Sequence, residues 1–336
     1  MVFMRIAIVK LSALGDIVHA MVVLQFIKSF DKEVSIDWMV DEAYKELLEQ
    51  CPDINQVHTI KIKECKKKKS LALLLNELKK VRKLGPYDIV IDMQGLIKSA
   101  IVSKLIPANK TIGFDKDSIR EKLESVFYSD KFNYDYSKNV IERNVALIEF
   151  ALNISISQLQ VQQKAPFLFS RSLKLVNNLS TSKKNILLIP GASHISKCYP
   201  SSKFAELTTL FDANFLVIWG NKEEKMMANK IKELSNKVNV CNQLQLEGLI
   251  LLISKVDLVI GSDTGPTHMA WAMNIPSITL FGPTPGYRNT YRTEINRIIE
   301  SDSKVDPKKI DKNDKSIQNI KVQEILKLTE ELLQRS

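Results

Sequence analysis

The sequence predicts an α/β protein made of two doubly wound, mostly parallel sheets, and three observations carry that prediction. Short apolar runs of strand length alternate with longer segments of helical period, the pattern of parallel strands joined by crossover helices. At 336 residues the chain exceeds what one hydrophobic core usually covers. A polar, glutamine-rich stretch, SISQLQVQQKAPFLFSRS at 155–172, divides the alternation into halves of similar length.

In the first half, strands are expected at RIAIV (5–9), SIDWMV (35–40), QVHTI (56–60) and DIVIDM (88–93). Helices are expected near 17–29, 41–49, 71–83, 96–106 and 138–152. The second half repeats the logic with NILLIP (185–190), FLVIWG (215–220), VNVC (238–241), LVIGS (258–262) and SITLFG (277–282), with helices between. The tail opens as a charged loop, DPKKIDKNDKS, and closes as an amphipathic helix, VQEILKLTEELL, that packs its leucines on the body. This predicts two domains, 1–160 and 161–336, and a cleft between them, where ligands usually bind.

Composition narrows the class. A hydrophobic fraction of 45% with only 11 Gly and 11 Pro leaves no room for a long flexible or collagen-like tract. The four cysteines, Cys51, Cys65, Cys198 and Cys241, form no CxxC pair and lack the histidine clustering of a zinc site, so they read as reduced thiols in a cytoplasmic protein. The apolar run at the N-terminus, about six residues, is far shorter than a signal-peptide core or a membrane span. A net charge of +10 implies an anionic partner. Lysines crowd IKIKECKKKKS (60–70), and Lys79, Lys80, Arg82 and Lys83 follow; the run reads equally as a solvated face or as a binding surface. No zinc-finger, RNP-type or helix-turn-helix pattern accompanies it, so nucleic acid is not the expected partner.

Chemistry concentrates where strands end. In KLSALGDIVHA (10–20), Asp16 lies where a buried strand turns into a helix. It reads either as a helix N-cap or as a carboxylate at the place where parallel sheets keep their chemistry. In LVIGSDTGPTHMAWAM (258–273), Thr264, Gly265 and Pro266 open a helix whose bare N–H groups and dipole make a seat for an anion. No Walker or GxGxxG pattern accompanies this turn. Asp263 would repel phosphate there and suits a sugar hydroxyl or the turn itself. His268 follows Thr264 by one helical turn and shares its face. In LLIPGASHISKCYP, Lys197 follows a strand end and suits phosphate oxygens as a point charge. In VIWGNKEE, Glu223 and Glu224 are both eligible for ribose hydroxyls or for a helix start. IDMQGLIKSA places Gln94, Gly95, Lys98 and Ser99 on the side of Asp16, with Arg120 as a further cation. The division suits a transferase with an acidic acceptor.

These segments, with LQLEG (244–248) and LFGPT (280–284), run in order from about residue 4 to about residue 290. Together they resemble the ADP-heptose:lipopolysaccharide heptosyltransferases of glycosyltransferase family 9. The resemblance implies a GT-B fold: two Rossmann-like domains, the N-terminal one for the acceptor and the C-terminal one for the nucleotide sugar. It implies inverting, metal-independent transfer of L-glycero-D-manno-heptose from ADP-heptose to the first Kdo of Kdo-lipid A, with no cofactor. The alternatives are a sister family-9 enzyme adding a later heptose or another sugar, and a non-catalytic sugar-nucleotide or nucleic-acid binding protein. By motif position Asp16 is the general base, with Ser12, Gly15, Gln94, Gly95, Lys98 and Arg120 on the acceptor side. On the donor side Lys197 meets the pyrophosphate, Thr264, Gly265 and His268 lie near the phosphates, Asp263 takes the heptose, and Glu223 or Glu224 takes the ribose. Leu244 belongs to the donor side, as do Ala192 and Ser193, although an alanine has no hydroxyl to offer. Lys98, Arg120 and the run from Lys61 to Lys69 are candidates for Kdo carboxylates and lipid A phosphates. The resemblance implies a protein peripheral on the cytoplasmic face of an inner membrane; the sequence leaves the oligomeric state open, with a monomer expected.

Overall fold

The computed structural model describes residues 3–170 and 177–334. The chain divides into two compact units, Met1–Phe167 and Leu168–Ser336.

Unit 1 holds a six-stranded sheet: β1 (Arg5–Val9), β2 (Ser35–Asp41), β3 (Gln56–Ile60), β4 (Tyr87–Asp92), β5 (Ala108–Phe114) and β6 (Asp130–Phe132). Its helices are α1 (Leu14–Met21), α2 (Val23–Phe30), α3 (Ile62–Lys68), α4 (Leu71–Val81), α5 (Ile97–Leu105), α6 (Val140–Leu152) and α7 (Gln158–Gln162). The strand order is β3-β2-β1-β4-β5-β6, every pair parallel. In β1 the residues Ile6 to Val9 are all buried, because helices cover both faces of a parallel sheet and every side chain must be apolar.

Unit 2 repeats the plan with β7 (Asn185–Ile189), β8 (Asn214–Val217), β9 (Val238–Val240), β10 (Leu258–Ser262), β11 (Ser277–Phe281) and β12 (Asn296–Glu300). Between and after them come α8 (Ser201–Leu210), α9 (Lys222–Leu234), α10 (Leu246–Ile253), α11 (Gly265–Ala272), α12 (Gly286–Asn289) and α13 (Val322–Gln334). Its order, β12-β11-β10-β7-β8-β9, is also parallel throughout. Counted from each unit's own first strand, both sheets read 3-2-1-4-5-6, the doubly wound order. Ile186, Leu188, Phe204, Phe215, Ile260 and Ile278 belong to the core of unit 2, and the tail helix α13 adds Ile325, Leu332 and Leu333 to it.

Several local expectations are corrected. The helix foreseen at 17–29 starts at Leu14 and is divided at Val22 into α1 and α2. The helix foreseen at 41–49 is a 3-10 turn over Glu42–Leu47, and the lysine run forms α3. β5, β6 and β12 were not expected. β5 opens with the half-buried Ala108 and the exposed Asn109 and Lys110, β6 has three residues, and β12 is an edge strand. None of the three presents a continuous apolar run. The polar stretch at 155–172, of which 171 and 172 lie outside the described residues, contains α7, opened by a capping box between Ser157 and Gln160. The division between units falls at Phe167 rather than at residue 160. Residues up to that point are held by unit 1: Gln25 Oε1 accepts the Ala165 N–H at 3.0 Å and Phe167 is buried. Among the described residues no helix is long and apolar enough to cross a membrane.

Candidate active site

In each sheet the winding reverses between the first and fourth strands, and the crevice outside their carboxyl ends is where such folds bind ligands. In unit 1 this brings together the loops after β1 and β4. Gln94 uses both ends of its amide on the first of them: its Oε1 accepts the N–H groups of Leu11 at 2.8 Å and Ser12 at 3.0 Å, and its Nε2 donates to the Ser12 carbonyl at 2.6 Å. The Lys98 ammonium donates to Ser12 Oγ at 2.9 Å. Buried Lys10 ties the same two loops by donating to the Met93 carbonyl at 2.7 Å. The second loop is shaped by Asp92, which is fully buried at the end of β4. Its Oδ1 accepts the N–H of Gln94 at 2.8 Å and of Gly95 at 3.3 Å, and its Oδ2 accepts the Tyr128 hydroxyl at 2.9 Å. Burial pushes the Asp92 carboxyl up, against the pull of these donors. Gly95 turns the chain at φ +69°, a conformation that side chains disfavour.

Asp16 is exposed in the first turn of α1, three residues after the N-cap Ala13, so its reading as the N-cap is corrected. Its Oδ2 accepts the Ala13 N–H at 3.1 Å, one half of a capping box that alanine cannot complete. Gly15, beside it in the same turn, is half-buried. Arg120 is exposed, its guanidinium over the Tyr136 ring at 5.4 Å, while its neighbour Glu121 accepts the Ile97 N–H at the start of α5 at 2.8 Å. Lys61 and Lys68 flank Glu64 at 3.8 and 2.6 Å, and Lys63 donates to the Tyr44 hydroxyl at 2.5 Å. Lys66 to Lys69 are exposed, as are Leu71 and Leu75 one turn apart on α4.

In unit 2 the loops after β7 and β10 meet in an ion pair between segments far apart in the chain. The Lys197 ammonium lies 2.7 Å from Asp263 Oδ2, and His268 Nε2 lies 3.0 Å from Asp263 Oδ1. All three residues are buried. Two more donors close on Oδ2, the Thr284 hydroxyl at 3.0 Å and the Asn289 amide at 3.2 Å. Burial pushes the Asp263 carboxyl up, but the Lys197 charge and the His268 bond outweigh it and hold it well below the usual carboxylate range. Asp263 is thus the buried counter-ion of Lys197, a placement the sequence reading did not foresee.

Thr264 is the N-cap of α11, Gly265 its first residue and Pro266 its second. The Thr267 hydroxyl turns back to the Thr264 carbonyl at 2.6 Å and to the Ser262 carbonyl at 2.9 Å, which fixes the entry to the helix. The helix start and the Lys197 ammonium together form a cationic environment beside one carboxylate, able to hold a phosphorylated group. The two glutamates part company. Glu223 is exposed, whereas Glu224 accepts the Gly220 N–H at 2.6 Å and the Asn221 amide at 2.9 Å. Glu224 also lies against Gly191, where an added Cβ would fall 2.3 Å from its Cγ, so any side chain there would have to displace Glu224. Ala192 and Ser193 continue that loop, half-buried and exposed. Leu244 is half-buried after β9, with Gly248 beside it. Sequence reasoning missed Lys10, Asp92, Thr284 and Asn289. Lys10, Asp92 and Thr284 stand in motifs already singled out, and only the tertiary bonds reveal their work.

Two Rossmann-type sheets, one with a carboxylate exposed at its strand switch and the other with a buried lysine-carboxylate pair beside a helix start, have the architecture of the GT-B glycosyltransferases. Residues 76–317 match the family profile described as glycosyltransferase family 9 (heptosyltransferase). The chain belongs to that family. Lipopolysaccharide heptosyltransferase 1 of Campylobacter coli is 40% identical, the alignment covering 98% of this chain and 99% of that protein. The protein of the same name from Escherichia coli K12 is 28% identical over 86% of this chain and 91% of its own. Of solved structures, E. coli heptosyltransferase WaaC with ADP matches with a TM-score of 0.80 at 24% identity, covering 98% of this chain and all of that one.

Proposed function

We infer that this chain is an inverting heptosyltransferase that moves L-glycero-D-manno-heptose from ADP-heptose to the first Kdo of Kdo-lipid A. The observation that carries the reading is the near full-length likeness to the C. coli heptosyltransferase 1. The site chemistry supports it. Asp16, exposed in unit 1, takes the proton of the acceptor hydroxyl as that oxygen bonds to the anomeric carbon of the heptose. The bond from that carbon to the diphosphate oxygen breaks, and ADP departs with the electron pair. Its charge is met by the Lys197 ammonium and by the open N–H groups at the start of α11. Ser12, Lys98 and Arg120 face the acceptor; Ala192, Ser193, Leu244, Glu223 and Glu224 line the donor, with Glu224 favoured for the ribose because it is held between Gly220, Asn221 and Gly191.

The acceptor is a lipid, and the face of α3 and α4 suits an anionic bilayer on the cytoplasmic side of the inner membrane. Leu71 and Leu75, 69% and 50% exposed, stand beside the exposed Lys66 to Lys69. Apolar side chains flanked by lysines insert at the headgroup level while the charges meet the lipid phosphates, each contributing on the order of 1 kcal/mol.

The deciding experiment measures ADP release from ADP-heptose with Kdo-lipid A, with an acceptor already carrying the first heptose, and with no acceptor. Release confined to the first, unchanged by a chelator, is expected. Release only with the heptose-bearing acceptor would assign a later step, and loss of release with the chelator would overturn the metal-free scheme.

A further inference from the structure

We propose that Thr284 and Asn289 are positioning residues that clamp the Asp263 carboxylate and thereby aim the Lys197 ammonium at the donor diphosphate. The inference rests on the donor assignment above and extends it to residues outside the motif that carries the ion pair.

Asp263 is 6% exposed, and both of its oxygens are committed. Oδ1 takes His268 at 3.0 Å, whereas Oδ2 takes Lys197 at 2.7 Å, Thr284 at 3.0 Å and Asn289 at 3.2 Å. Thr284, 3% exposed, closes the LFGPT segment after β11, and Asn289 closes α12. The orientation of the Asn289 amide is settled chemically. Arg288 Nη1 donates to Asn289 Oδ1 at 3.0 Å, and a guanidinium can only donate, so the amide N–H₂ is the side that faces Asp263. α12 is in turn pinned, since the Gly286 N–H donates to Glu300 Oε1 at 2.8 Å.

The arrangement does more than balance charge. A carboxylate held by one lysine alone can rotate about its Cβ–Cγ bond and take the ammonium with it. Here His268 fixes one oxygen, while a hydroxyl and an amide on separate segments fix the other. The line from Oδ2 to Lys197 Nζ therefore has a set direction. An ammonium has three N–H donors; with the Cε–Nζ bond held by the burial of the Lys197 side chain, a set direction for the donor given to Asp263 sets the other two. Placement of this kind determines how well a point charge meets phosphate oxygens.

The test compares Thr284→Val, Thr284→Ser and Asn289→Ala with the parent protein, reading the ADP dissociation constant by calorimetry and the KM of donor and acceptor separately. Valine keeps the shape and removes the hydroxyl. Thr284→Val is expected to weaken ADP binding and raise the donor KM by about tenfold, the cost of one buried bond to a charged group, while leaving the acceptor KM unchanged. Thr284→Ser restores both to within about twofold. Asn289→Ala, at a half-buried site, gives a smaller change in the same direction and serves alone if the valine variant does not fold. A folded Thr284→Val or Asn289→Ala protein with parental ADP affinity and donor KM overturns the proposal, as does an equal rise in both KM values. Failure of the parent protein itself to bind ADP overturns the donor assignment first, and the clamp with it.

Discussion

The two strand switches solve opposite problems with the same topology. In unit 1 the rigid object is backbone: Gln94, Lys98 and Lys10 hold the loops, and Asp16, the carboxylate proposed as the base, stands exposed with one backbone N–H bonded to it. In unit 2 the rigid object is a side chain: Asp263 is buried, and four donors hold it. A group that must take up and release a proton needs access to its partner and to water. A group that must hold a cation in place needs neither, and gains from exclusion of both because electrostatic interactions strengthen away from water. The 3-2-1-4-5-6 winding supplies the place, and burial decides which task is done there.

The sharpest way to break the comparison is to remove each carboxylate in turn. Asp16→Ala is expected to lower the turnover number by about 10²–10⁴-fold, the usual contribution of a general base, with ADP affinity and melting temperature nearly unchanged. Calorimetry and a steady-state assay on one preparation check all three. Turnover within a few-fold of the parent removes Asp16 from the base role.

Asp263→Asn should do the reverse and strike stability. It leaves Lys197 buried without its counter-ion, a change that costs about 3–5 kcal/mol in comparable buried pairs. The pH dependence follows from the depressed carboxyl. Its folded value lies below its unfolded one, so the stabilisation is fully present above the ordinary carboxylate range and is lost as pH falls toward the folded value. Melting curves of parent and variant should therefore differ by a constant gap between about pH 5 and 8, and the gap should narrow below about pH 4. A gap that widens on acidification would mean that Asp263 is not the charged partner.

Legibility in the sequence followed burial and distance along the chain. β1, β4, β7 and β10 were readable because central parallel strands are apolar on both faces, and the site loops follow from their ends. β6 and β12, at the sheet edges, carry no such run. Asp16 stands in a segment the sequence singles out, but its place three residues into the helix is not legible there, because the N-cap is Ala13, which has no capping side chain. Asp263 was set apart from the anion seat on like-charge repulsion, a sound argument that lacked one fact: Lys197, brought by β7, cancels its charge. Thr284 and Asn289 reach Asp263 from another strand end and another helix, and no local pattern announces bonds of that range.

The smallest of the three effects sharpens the claim about backbone. Gln94→Ala removes three hydrogen bonds, at a net of roughly 0.5–1.5 kcal/mol each. The N–H groups of Leu11 and Ser12 lie in a part-buried loop, so water recovers part of that loss. The expected result is a loss of about 1–3 kcal/mol in unfolding free energy, read by denaturant titration. Turnover should fall about tenfold, because the turn carrying Asp16 is no longer fixed against β4 while Asp16 itself remains. ADP affinity should stay at the parental value, since every residue proposed for the donor lies in unit 2. Parental turnover in a Gln94→Ala protein that is measurably less stable would show that the loop's order serves the fold alone, and that the proton-transfer step tolerates a mobile base.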